Sequence, residues 1–257
     1  MVTLQTVRRD APWKWLKAGW TDMMRARRVS LSYGLIFVGI GVLITGGLWM
    51  LGLGAIAPVA LSGFALIAPA LAIGIYQVSR ALERGEVPRF RVIISRFPDR
   101  ITQIAFLSLL LLLLLMAWLE IAQFMFVIIA PGTPLSPGPF LEFSLSEPAG
   151  MTLLVLGTII GSLLAGVAFS ISAIAFPMLV DQDVDAVTAL IASISAVRQQ
   201  PFVMFTWAWL IGFMTVAGTA FFLIGLALVF PWLAHASWHA YKDFAPSPSA
   251  SSSAPSV

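Results

Sequence analysis

The sequence predicts an all-α membrane bundle: six transmembrane helices arranged as three hairpins, each preceded by an amphipathic helix at the cytoplasmic interface. Three observations carry that reading. The 257 residues are 59% hydrophobic and only 11% charged, with a mean hydropathy of +0.94, so the bilayer rather than water must be the solvent. Apolar runs of roughly 20 residues, long enough to cross about 30 Å of hydrocarbon as a helix, recur along the chain. Once these runs are threaded across a membrane, all 15 Lys and Arg residues fall on one side.

Residues 1–30 form a basic segment carrying Arg8, Arg9, Lys14, Lys17, Arg25, Arg27 and Arg28. Helical spacing over 12–28, with Asp10 as a candidate cap, gathers Trp13, Leu16, Trp20, Met23 and Met24 on one face, an arrangement suited to the headgroup layer. The segment is too long for a cleavable signal and the apolar run after it is of full spanning length, so the N-terminus is expected to stay in the membrane.

The spans are read at 31–53, 56–76, 104–130, 151–177, 202–217 and 219–238. Uninterrupted apolar segments such as Leu107 to Met116 exclude the alternation of a β-barrel. The connection after the second span carries Arg80, Arg84, Arg89, Arg91, Arg96 and Arg100, and Arg198 and Lys242 complete the basic set. The opposite face offers the Gly52-Leu53-Gly54 turn, the Pro-rich loop 131–150 with Glu142 and Glu147, and the turn at Ala217 to Thr219. Both termini are therefore expected on the cytoplasmic side of an inner membrane. The fifth span, at the lower limit of length, is the weak point of this threading. Further interfacial helices are expected at 87–99 and 184–199, the latter presenting Val187, Leu190, Ile191, Ile194 and Val197. The Ala, Ser and Pro tail 245–257 lacks the apolar content to fold, leaving 31–244 as the membrane domain.

Several residues invite a functional reading. Pro69, Pro177 and Pro231 recur as Pro-x-Leu near the ends of the even-numbered spans, as helix kinks or as hinges. Gly157, Gly161 and Ala165 form a small-residue ridge that lets another helix approach, placing the fourth span at the bundle centre or at a homo-oligomer or partner interface. Glu120, near Gln123, is the one ionisable group well inside a span, either buried or toward the outer interface. Asp181, Asp183 and Asp185 begin like a calcium loop, but Ala186 and Ala192 stand where that loop needs Gly and Glu; acids opening a helix explain the run better. His235 and His239, four apart with Trp238, Tyr241 and Lys242 beside them, fit interfacial anchors, a partner or lipid contact, or a metal pair. Zero cysteines remove disulfides and thiolate chemistry, and no nucleophile, P-loop or dinucleotide motif is present, so no catalytic, cofactor-binding or metal residue is assigned.

The strings Pro177-Met-Leu-Val-Asp181-Gln-Asp183-Val-Asp185 and Pro231-Trp-Leu-Ala-His235-Ala-Ser-Trp238-His239-Ala-Tyr241-Lys242 resemble the bacterial integral-membrane family called domain of unknown function 2189. So do Tyr76-Gln-Val-Ser79-Arg80-Ala-Leu-Glu83 and Trp15-Leu-Lys-Ala-Gly19-Trp20-Thr-Asp22. Ala234, Ser237, Lys242 and Gln182 depart mildly from the family's form. The resemblance implies an integral membrane protein without established activity, in a family some of whose members are labelled cytochrome c oxidase subunit I-like. Two histidines on one helix cannot supply the haem and copper ligands of an oxidase core.

Two functional classes remain open. One is a non-catalytic accessory, scaffold or assembly protein for a membrane complex such as a respiratory one, whose basic helices hold anionic headgroups and which presents His235, Trp238 and His239 to a partner. The other is a small permease or exporter with a path reaching Glu120 or the Ser170 and Ser172 pair. The pI of about 9.7 reflects membrane orientation, so no nucleic-acid partner is expected.

Overall fold

The computed structural model describes residues 4–88, 101–133, 137–220 and 224–245, and among these every regular element is helical. In chain order they are α1 (Ala11–Arg25), α2 (Arg27–Met50), a 3-10 turn (Gly54–Ile56), α3 (Ala57–Leu71), α4 (Ile73–Glu83), α5 (Ile101–Ile129), α6 (Pro137–Ser146), α7 (Pro148–Ser172), α8 (Ala175–Asp181), α9 (Ala186–Gln199), α10 (Pro201–Ala220) and α11 (Leu226–Phe244). The expected interfacial helix at 87–99 lies almost wholly outside the described residues, as does the tail after Ala245.

Five helical segments are long and apolar enough to cross a membrane: Arg27–Met50, Gly54–Glu83, Ile101–Ile129, Pro148–Asp181 and Pro201–Ala220. At most 28% of any of their apolar windows is buried, so their outer faces are apolar surface suited to lipid. The short fifth run reaches 20 residues as α10, about 30 Å at the helical rise. α11 falls outside this set because its second half, from His235 to Phe244, mixes aromatic with polar and charged residues.

The proline-bearing segments break where the sequence places prolines, and each break is capped from another helix. Pro177 has no N–H for the Ala173 carbonyl, and the chain turns between α7 and α8 at Ala173 and Ile174. The Ile174 N–H freed there donates to Ser193 Oγ of α9 at 3.1 Å. Between α3 and α4, two residues after Pro69, the Leu71 carbonyl accepts from the Tyr33 hydroxyl at 2.7 Å. Pro231, by contrast, sits within an unbroken α11.

Two expectations are corrected. α7 is not central: its span is the least buried of the five, at 6%. Gly157 faces open space and Ala165 is exposed, so only Gly161 of the ridge makes an internal contact. A methyl there would lie 3.2 Å from Trp118, whose indole N–H donates to the Val59 carbonyl (3.0 Å) and Ser62 Oγ (3.1 Å), joining α3, α5 and α7. Second, the Pro-rich loop contains α6, whose Pro137 and Pro139 lie in the first turn, where the missing N–H costs nothing. The helix expected at 184–199 is present as α9, which turns its small residues Ala189, Ala192, Ser193 and Ala196 inward and leaves Val187 and Ile191 more than half exposed. The alanines allow the close approach that brings Ser193 to the break before α8.

Candidate functional site

The last helix is where the fold converges. α11 packs most extensively against α1 and α2 and also touches α4, α8 and α10. Two glycines permit this. A methyl on Gly19 would lie 2.5 Å from the Ala236 nitrogen, and one on Gly34 would collide with the Ala227 carbonyl, so both helix crossings require a bare backbone. Below the Gly34 crossing, Phe230 stacks on Phe37 with ring centroids 3.8 Å apart, and Phe37 leans on Phe64 at 4.6 Å. α1 therefore differs from the face read in its sequence: Trp15, Leu16, Gly19 and Met23 are buried inward, whereas Trp13, Trp20 and Met24 remain exposed. Asp10 precedes α1, but its carboxylate pairs with Lys14 and Arg8 instead of capping, and those cations hold it below the ordinary range.

Almost every polar side chain in the second half of α11 reaches a different element. His235 is fully enclosed between two hydroxyls, Ser30 Oγ at 2.9 Å from Nε2 and Ser79 Oγ at 2.7 Å from Nδ1. A neutral imidazole donates through one nitrogen and accepts through the other, so both serines are matched. Trp238 donates to Glu83 Oε1 at 2.8 Å, and His239 Nε2 lies 2.7 Å from Asp22, itself flanked by Arg25 at 4.0 Å. Tyr241 donates to Asp181 Oδ2 (2.8 Å) and accepts from the Gln182 amide (2.9 Å). Burial, followed by the adjacent Asp181 charge, pushes the Tyr241 phenol above its usual range, keeping it a donor.

Charges close the cluster on one side. Asp181 lies between Arg80 (3.7 Å) and Lys242 (3.1 Å), and Lys242 reaches on to Glu83 at 3.4 Å while lying over the Trp238 and Tyr241 rings. Each cation thus meets carboxylates from other segments. The N-terminal strap is fixed alongside: Trp15 donates to Asp243 at 2.6 Å, and Gln200 bonds both Val7 and Gln5, whose N–H donates to the Phe244 carbonyl.

Chemically, this is a clamp. The Ser-His-Ser chain has the residue types of a nucleophile and base, but all three side chains are 0% exposed, with no room for a substrate. The two histidines face separate partners, Ser30 and Ser79 for His235 and Asp22 for His239. His235, Trp238 and Tyr241, expected at a partner surface, have their polar atoms turned into the chain; His239 alone keeps partial exposure, at 26% of its side chain.

The other sequence-derived residues lie elsewhere. Asp181 belongs to the clamp, whereas Asp185 caps α9: its carboxylate accepts from the Thr188 hydroxyl (2.6 Å) and N–H (2.8 Å), bonds that hold it below the usual carboxylate range. Pro177 is buried in α8. Glu120 is on the outside of α5, exposed beside Gln123, Phe124 and Val127 around a shallow groove of about 200 Å³. Sequence reasoning missed Ser30 and Ser79 as partners of His235, and Gly19, Gly34 and Trp118 as packing centres. Their one signal is a lone polar, glycine or indole group inside an otherwise apolar stretch.

Helical segments of spanning length, outward apolar faces and a polar cluster closing one end define a polytopic integral membrane protein. Residues 56–181 match the family described as "Predicted integral membrane protein (DUF2189)". No curated protein and no solved structure matches the chain.

Proposed function

We propose that this is a non-catalytic accessory, scaffold or assembly protein of a bacterial inner membrane, acting beside a membrane complex. The observation that carries this reading is the inward engagement of the clamp: a dense set of polar groups holds α1, α2, α4, α8 and α11 together and, among the described residues of the clamp, turns its hydrogen-bonding atoms toward one another. The polar groups a permeation path would need are also turned away from one. Ser170 and Ser172 bond the carbonyls of their own helix, at Gly166 and Ala168, and Glu120 lies outside the bundle. Both of these favour a scaffold over an exporter.

In this reading α11 is a sixth crossing. It returns beside α10 from the close approach of Gly218 and Gly225, and Phe244 comes back to Gln5, which also meets Gln200 at the start of α10. Both termini then share the cytoplasmic side with the basic residues, where Lys17, Arg27 and Arg28 meet anionic headgroups, each near the surface contributing about 1 kcal/mol.

The test is purification in a gentle detergent at native abundance, followed by mass spectrometry and an absorption spectrum. A different membrane polypeptide in stoichiometric amount is expected. A preparation holding this chain alone, with substrate flux in reconstituted vesicles, overturns the reading in favour of transport.

A further inference from the structure

The outward face of α5 carries a feature that lipid alone serves poorly. Leu113, Met116, Glu120, Gln123 and Val127 follow one another at alternating spacings of three and four, and all are exposed; Phe124 flanks them at 70%. The helix's inner face is a separate set, Leu107, Leu111 and Trp118. Glu120 is nine residues from the end of α5 at Ile129, about 13 Å, with exposed apolar side chains on both sides of it along the seam. A carboxyl and an amide in that position are costly in hydrocarbon unless they find partners. No Lys or Arg occurs in the sequence between Arg100 and Arg198.

We propose that this face is a self-association surface, on which two copies pack α5 against α5 about a two-fold axis along the membrane normal. Glu120 and Gln123 are self-complementary under that symmetry: the amide of each copy donates to the carboxyl of the other, giving two equivalent hydrogen bonds across the axis. The three-four spacing is that of helices meshing knobs into holes, and a polar group at one seam position fixes register. The proposal stands on α5 alone and does not depend on the accessory role.

The chain has no cysteine, so single-cysteine crosslinking reads the interface directly. Full-length Val127→Cys protein in oxidised native membrane vesicles is expected to give a disulfide-linked dimer. Met151→Cys, 52% exposed and similarly close to its helix end on α7, is expected to stay monomeric. Adding Glu120→Leu and Gln123→Leu to Val127→Cys should weaken association roughly ten-fold with unchanged membrane abundance, whereas Glu120→Gln, which preserves an amide-to-amide pair, should retain the dimer. If the double variant fails to insert, Gln123→Leu alone carries the same comparison. A monomeric Val127→Cys, crosslinking only to a different polypeptide, or a dimer indifferent to the leucine pair overturns the proposal.

Discussion

Replacing His235 by alanine separates a structural clamp from a docking surface, because the two roles demand opposite outcomes for stability. The ring is 0% exposed and its two nitrogens match two serine hydroxyls that are also 0% exposed. Removing it strands both hydroxyls, at about 1 to 3 kcal/mol each, and adds the loss of packing around a deleted ring. The total is at least about 3 kcal/mol, which corresponds to a fall of at least roughly 6 °C in the unfolding midpoint of a chain of this size. Ser30→Ala with Ser79→Ala in the His235→Ala background should recover part of that loss, because the stranded hydroxyls are then gone. The assay is the thermal unfolding of detergent-solubilised protein followed by tryptophan fluorescence. A His235→Ala variant melting within a degree of the parent, with membrane abundance unchanged, would refute the clamp.

Three further outcomes follow from the same geometry. Gly34→Ala forces a methyl into the Ala227 carbonyl and should cost about 1 to 3 kcal/mol, whereas Gly157→Ala, facing open space, should change stability by less than about 0.5 kcal/mol; paired melts decide it. Trp118→Phe deletes the indole donor to Val59 and Ser62 and should destabilise by about 1 kcal/mol, more if the Val59 carbonyl is left without a partner. Because the Thr188 bonds hold the Asp185 carboxyl below the ordinary aspartate range, its contribution to α9 is complete above that ordinary range and is lost as pH falls through the lowered folded value. Hydrogen exchange at the start of α9, corrected for intrinsic rate, should therefore quicken in strong acid, and Asp185→Asn should abolish that dependence.

Five of the six spans were legible because the bilayer imposes a length that hydropathy reads directly. Where the reading went astray, the cause lies in information a single segment does not carry. The Gly157, Gly161 and Ala165 ridge reports that a helix can be approached closely, but not which side is approached; the structure uses Gly161 alone. Pro137 and Pro139 read as loop because proline is costly inside a helix, yet they occupy the first turn of α6. The closing string around His235 was visible as unusual, but its inward orientation depends on Ser30, 205 positions away, and on Ser79, 156 away. A lone serine in an apolar helix has no periodicity to announce such a partner. Trp15, Gly19 and Asp22 were noticed as a string, but the crossing of α1 over α11 that gives them their role is purely tertiary.

The central claim is that the polar end of α11 faces into the chain, and its most direct test is thiol accessibility in the cysteine-free background. Ser79→Cys, nearly isosteric beside His235, is compared with Thr21→Cys on the exposed side of α1, in membrane vesicles open on both faces. The account predicts that a membrane-impermeant maleimide labels Thr21→Cys within minutes and leaves Ser79→Cys unmodified until the protein is denatured. Labelling of Ser79→Cys at the rate of Thr21→Cys in the native protein would contradict it.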